Sequence, residues 1–81
     1  MHELSIAMSL IDLACSEVQL AKGEVIDVVN VEMGAHSGVV ADALRFSFEV
    51  AAVGTPVEGA RLAICDVAGT ALQLVSIEVR Q

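Results

Sequence analysis

The chain has 81 residues, of which 56% are hydrophobic, and carries a formal net charge of -7 at pH 7. A chain of this length holds one small domain that buries only ~60% of its unfolded surface, and the high apolar fraction leaves hydrophobic surface for a partner or a homodimer. The four Lys and Arg residues and two phenylalanines offer little to a phosphate backbone or a stacked base, which argues against nucleic acid as a partner.

The spacing of the cysteines argues against a disulfide-rich or zinc-bound protein, and the apolar opening argues against a secreted or membrane-spanning one. Cys15 and Cys65 form no C-x-x-C pair, so we predict neither a disulfide framework nor a zinc cage, and we expect both to be small buried side chains. The opening LSIAMSLIDLA has no basic segment before it, contains Asp12 and is too short to span a bilayer. We therefore expect a cytoplasmic protein that retains its own amino terminus and has no membrane partner.

The first predicted element is a helix over residues 3–22. Apolar residues recur there at three- and four-residue steps, which places them on one helical face. They are Leu4, Ala7, Ile11, Ala14 and Val18, with Leu10 and Leu13 widening the stripe. Glu3 suits the positive end of the helix dipole, and Lys22-Gly23 is typical of a helix end.

A strand and a second helix follow. VIDVVNVEM, residues 25–33, is short and β-branched, which indicates a strand, and GAHSG is a loop. Residues 39–53 again show helical spacing, and Gly54 and Pro56 end the helix. Its apolar positions are Val40, Ala43, Leu44, Phe48 and Ala51.

Two strands complete the predicted fold. ARLAICDV, residues 60–67, and ALQLVSIEV, residues 71–79, are joined by AGT, which is short enough for a tight hairpin. The order αβαββ predicts an α+β fold in which two helices pack on a three-stranded sheet, as a single domain over residues 1–81. We expect Ile11, Val29, Leu44 and Phe48 to form the core between the two layers.

Catalytic residues are not predicted. Cys15 lies on the buried stripe of the first helix and Cys65 in an apolar strand, where thiols are generally inert. GAHSG lacks the glycine pattern and the lysine of a phosphate-binding loop. We therefore expect a protein that is not an enzyme.

The opening residues Met1, His2 and Glu3 can chelate a metal ion. The α-amine of Met1, the next backbone nitrogen and the His2 imidazole lie within reach of one ion, and the backbone nitrogen of Glu3 completes a square of nitrogens. Ni(II) and Cu(II) accept such tetragonal nitrogen sites. The alternatives are a solvated terminal histidine and a glutamate whose side chain only serves the first helical turn.

The chain resembles the HypA/HybF family of hydrogenase and urease maturation nickel chaperones. The resemblance lies in MHE at the start, in SGV followed by ALRFSFE, in TPVEGARL and in LQLVSIEV near the end. It implies nickel delivery for hydrogenase maturation through Met1, His2 and Glu3, with a maturation GTPase and a nickel-enzyme precursor as partners. The rival interpretation is a metal-free degenerate homologue that serves as an assembly or docking module.

One departure from the family is large. Its members carry a zinc module with two C-x-x-C pairs between the last two strands, whereas here a short connection around residues 66–71 takes that place. The module was lost naturally or was excised. We expect no zinc, and we expect the shortened connection to join neighbouring strands.

Two further residues are candidate ligands. Some family members supply a nickel-contacting acid from the start of the second helix, but this chain has Val40 at that position and Asp42 two residues later. His36 is either an additional ligand or a loop histidine that faces water, and we favour the loop interpretation. Asp42 is better explained as an acid in the first helical turn than as a ligand.

Overall fold

The computed structural model describes residues 3–81, which form two helices and three strands. In chain order these are α1 (Glu3–Glu17), β1 (Val25–Gly34), α2 (Ala41–Ala52), β2 (Arg61–Val67) and β3 (Leu72–Arg80). The predicted order αβαββ and the α+β fold are confirmed.

The sheet has the strand order β2-β1-β3. β1 pairs in parallel with β2 and antiparallel with β3. The predicted hairpin between β2 and β3 is therefore wrong, as is the expectation that their connection joins neighbouring strands. Residues 68–71 instead cross two strand spacings, about 10 Å in all, which four extended residues can span.

This crossover passes over the carboxyl end of β1 and is held there by backbone hydrogen bonds. The amide groups of Gly34, Ala35 and His36 donate to the carbonyl oxygens of Ala71, Val67 and Gly69, over 2.7, 2.8 and 2.8 Å respectively. A Cβ atom at Gly34 would collide with the Gly69 carbonyl group and lie 2.9 Å from the Thr70 nitrogen. The close approach of the two backbones therefore requires glycine at position 34.

Gly34→Ala should consequently lower the free energy of unfolding by ~1–3 kcal/mol, because the added methyl group forces the crossover away from β1. Urea denaturation followed by circular dichroism measures the change. Ala35→Ser, at the exposed neighbouring position, is the control and should shift the midpoint little. Equal midpoints for the two variants would contradict the close approach.

The predicted core is confirmed. Ile11, Val29, Leu44 and Phe48 are all at most 5% exposed and belong to one hydrophobic cluster between the helices and the sheet. Three residues at the edges of the predicted helical stripes are about half exposed, so the prediction that they are buried is wrong; they are Leu4, Leu13 and Val40. A single sheet covers only one narrow face of each helix, so apolar residues at the sides of the stripe stay in contact with water.

Helix α1 ends at Glu17 and not at residue 22. Val18 and Leu20 instead pack against the core from a non-helical segment. Gly23, with φ of +86°, belongs to the turn that leads into β1, in which the side chain of Glu24 accepts a hydrogen bond from the Ala21 nitrogen at 2.6 Å. The glycine that indicated a helix end therefore marks a separate turn.

Candidate metal centre at the amino terminus

The starts of both helices lie at one end of the molecule. Because β1 and β2 are parallel, α2, which connects them, must run antiparallel to both strands. Helix α1 is joined to β1 by a short loop and also runs antiparallel to it. The loop of residues 35–40 and the crossover of residues 68–71 lie at the same end. The topology thereby brings the start of α1 close to the start of α2.

Glu3 links these two helix starts directly. Its Oε2 atom accepts a hydrogen bond from the backbone nitrogen of Val40 at 3.3 Å. Val40 is the N-cap residue of α2 and provides no side-chain cap of its own. The carboxylate of Glu3 therefore accepts, from α1, the hydrogen bond that the third residue of a helix makes to the N-cap nitrogen in a capping box, and the positive end of the α2 dipole favours its charge.

Sequence reasoning missed this contact. It assigned the carboxylate to the first turn of its own helix, where Glu3 does lie. The interaction partner is 37 residues away in the chain, and no local spacing indicates it. The one indirect signal was Ala43 at the third position of α2, where a Glu or Gln would have supplied this acceptor from within the helix.

His36 and Asp42 lie at this end but have different surroundings. His36 is exposed in the loop after β1, and its backbone nitrogen donates a hydrogen bond to the carbonyl oxygen of Gly69. Asp42 lies in the first turn of α2, as expected, and its carboxylate is 3.2 Å from the guanidinium group of Arg45. Its side chain is 96% exposed, so this ion pair is screened and adds little stability. Participation of either residue in a metal site remains a prediction.

Met1 and His2, the main predicted ligands, lie outside the described residues. Within residues 3–81, no three His, Cys, Asp or Glu side chains come together in a way that could hold a metal ion.

Comparison with known proteins identifies the family. The model of the HypA family, described as hydrogenase/urease nickel incorporation, metallochaperone, matches residues 1–73. The chain belongs to the HypA family. The match begins at the first residue and includes the Met-His-Glu opening.

Individual HypA relatives agree with the family match. Hydrogenase maturation factor HypA of Chloroflexus aurantiacus (strain J-10-fl) is 51% identical over 67 residues, which cover 83% of this chain and 59% of the relative. The same factor from Roseiflexus sp. (strain RS-1) is 51% identical over 83% of this chain and 54% of its own length. That from Chlorobium phaeobacteroides (strain BS1) is 40% identical, with coverages of 83% and 59%. The chain thus spans between half and three fifths of these HypA proteins.

Neither cysteine of this HypA family member is fully buried, contrary to the prediction. Cys15 is half-buried, and burial, followed by the nearby charge of Asp12, raises the pKa of its thiol. Less thiolate is then present at neutral pH, which weakens Cys15 as a nucleophile and as a metal ligand. Cys65 is exposed, so the expectation of a buried side chain is wrong. Only one face of the sheet is covered by helices, and Cys65 points to the face opposite that of the core residue Leu62.

The described part of this HypA chain, residues 3–81, has no helix of sufficient length and hydrophobicity to cross a membrane.

Proposed function

We propose that residues 1–81 form a nickel-binding domain that supplies Ni(II) for the maturation of a hydrogenase. The family match carries this proposal, because it begins at residue 1 and its description names nickel incorporation and a metallochaperone, not a catalyst. As the family resemblance implies, the proposed partners are a maturation GTPase and a nickel-enzyme precursor, and the proposed compartment is the cytoplasm. No catalytic group takes part in this function.

The proposed site holds nickel by nitrogen atoms. The α-amine of Met1, the backbone nitrogens of His2 and Glu3 and the imidazole of His2 form a square around the ion, a geometry that Ni(II) accepts. The amine and the amides must lose protons to bind, so nickel affinity rises with pH. A site at the chain terminus also allows the metal to leave, as delivery requires.

The start of α1 supports this arrangement. Glu3 is the first residue of the helix, and the first four N–H groups of an α-helix are not part of its hydrogen-bond ladder. A metal bond at the Glu3 nitrogen therefore takes no bond away from that ladder. The contact between the Glu3 carboxylate and Val40 holds this residue against α2, so the carboxylate positions the site while the backbone binds the metal.

Glu3 variants separate these two roles. Glu3→Gln keeps an oxygen acceptor for the Val40 nitrogen, and we expect nickel affinity within a few-fold of the unmodified chain. Glu3→Ala removes the acceptor, and affinity should fall by about 10-fold, as is typical when a supporting contact is lost. Isothermal titration calorimetry measures both. A loss in Glu3→Gln as large as in Glu3→Ala would assign the carboxylate to the metal itself.

Two matched controls lie at the same end of the molecule. Asp42→Asn removes an acid from the start of α2, and His36→Ala removes the loop imidazole. Neither change should lower nickel affinity, because we assign Asp42 to the helix start and His36 to the solvated loop. A loss of affinity in either variant would add that residue to the site.

The function as a whole is tested with the untagged chain. Calorimetric titration should give one nickel ion per chain, whereas no binding would favour a metal-free docking module. We propose that zinc is absent as well, because a structural zinc site needs four ligands and the described residues contain no group of three. Elemental analysis should show no stoichiometric zinc, and circular dichroism should be unchanged after chelation.

A further inference from the structure

The loop of residues 35–40, which leads from β1 into α2, is anchored by backbone contacts at its beginning. After the hydrogen bonds to the crossover, the amide of Ser37 donates to the carbonyl oxygen of Gly34 at 3.0 Å. Gly38 follows with φ of +78°, a conformation that residues with a side chain rarely adopt. The contacts of the backbone and the glycine therefore set the direction in which the loop approaches α2.

Ser37 also makes a hydrogen bond with its side chain. Its hydroxyl oxygen accepts from the backbone nitrogen of Val39 at 3.2 Å, in a partly buried position. Serine hydroxyls that bind the backbone two residues ahead close a local turn. Val39 packs against the hydrophobic core, so this bond ties the loop to a residue that is itself held in place.

The next residue, Val40, is not held by its side chain, which is 59% exposed. Its carbonyl oxygen accepts a hydrogen bond from the Leu44 nitrogen at 2.9 Å, which fixes the side of the residue that faces the helix. The direction of its N–H group instead depends on the backbone angles of Val39, whose amide Ser37 binds. Ser37 therefore acts on the orientation of the Val40 N–H group.

This N–H group is the donor to the Glu3 carboxylate, and its hydrogen bond is sensitive to small movements. The distance of 3.3 Å lies beyond the range of about 2.7–3.2 Å that is usual for N–H···O hydrogen bonds. A further displacement of roughly a few tenths of an ångström would break it. Glu3 would then lose the contact that joins the start of α1 to the start of α2.

We propose that Ser37 is a positioning residue for the nickel site, because its hydroxyl holds Val39 and thereby keeps the Val40 N–H group directed at the Glu3 carboxylate. The inference rests on the proposed function, in which residues 1–3 bind nickel. Ser37 does not contact the metal in this arrangement. Its effect passes through Glu3, so it cannot exceed the effect of removing the Glu3 carboxylate.

Amide hydrogen exchange of the metal-free chain, followed by nuclear magnetic resonance, tests the first step. Ser37→Ala should accelerate exchange at Val39 and Val40 by roughly two- to tenfold, the range that the net contribution of one neutral hydrogen bond implies. Ser37→Thr keeps the hydroxyl group and should restore slow exchange. Ser9→Ala, which removes an exposed hydroxyl from the α1 side of the same groove, is the control and should change neither amide. Unchanged exchange in Ser37→Ala would overturn the proposal.

Calorimetric nickel titration tests the second step. Ser37→Ala should weaken nickel binding by roughly two- to tenfold, and Ser37→Thr should restore it. In a chain that already carries Glu3→Ala, the same Ser37→Ala change should cause no further loss, because the contact through which Ser37 acts is gone. Urea denaturation confirms that each variant is folded under the conditions of the titration. A serine that only stabilises the fold would lower the urea midpoint without this dependence on Glu3.

The outcomes separate this inference from the proposed function. If the unmodified chain binds no nickel, the proposed function fails and the role of Ser37 in it fails too. If the unmodified chain binds nickel but Ser37→Ala binds it equally well, only the role of Ser37 is wrong. Losses that multiply in the Ser37→Ala, Glu3→Ala double variant would likewise overturn the inference, since the two residues would then act independently.

Discussion

Extending the chain with residues before Met1 should abolish tight nickel binding. The extension converts the α-amine into an amide within the chain, so the terminal chelate loses its first ligand and its geometry. His2→Ala removes the imidazole and should lower affinity by well over ~100-fold, which exceeds the ~10–100-fold typical of supporting contacts. Isothermal titration calorimetry of purified, untagged protein measures both effects.

The fold should be unaffected by either change, because the first described residue, Glu3, begins α1 and the core lies farther along the chain. Far-ultraviolet circular dichroism is the control for this point. Repeating the titration at several pH values adds a second readout, since an affinity that rises with pH indicates proton release from the ligands. Nickel affinity that survives both changes would rule out the proposed site.

Phe48→Ala should lower the free energy of unfolding by ~3–5 kcal/mol. Phe48 is 1% exposed and is the largest of the fully buried side chains among the described residues, so its removal leaves a cavity between α2 and the sheet. A loss of this size is a large part of the ~5–15 kcal/mol that stabilises a typical domain. Urea denaturation measures the change, and the milder Phe48→Leu provides a value if Phe48→Ala does not fold.

The chain contains its own control for this experiment. Phe46 is two residues away in the same helix but is 66% exposed. Phe46→Ala should therefore change monomer stability by no more than ~0.5 kcal/mol when it is measured at low protein concentration. Similar losses for the two variants would show that Phe48 does not occupy the core.

The elements of the fold were predictable because their signals are local. The three- and four-residue spacing of Ala7, Ile11 and Ala14 predicts a helix whatever surrounds it, and the β-branched run of residues 25–33 predicts a strand in the same way. The core residues Leu44 and Phe48 follow from the same periodicity. The elements and these two core residues could be assigned without any knowledge of how the elements pack.

Strand order could not be predicted in this way. A four-residue connection between β2 and β3 suits a tight hairpin as well as a crossing over the end of β1, and nothing in AGT distinguishes the two. The decision depends on which strands pair with β1, a contact between distant parts of the chain. The burial of Cys65 was mispredicted for a related reason, because the apolar run of β2 does not show which of its residues face the helices, and that depends on the pairing of β2 with β1.

Some features of the candidate site were also predictable from the sequence, whereas others depend on tertiary packing. The sequence by itself determined that the nitrogens of Met1, His2 and Glu3 are within chelating reach of one another, since adjacent residues are so in any fold, and their role as nickel ligands stays a prediction. Only the tertiary structure placed the Glu3 carboxylate on the Val40 nitrogen and left Phe46 outside the core. Chelation and helical periodicity are set by covalent distance along the chain. Capping across helices and exposure depend on the packing of residues far apart in sequence, which local spacing does not encode.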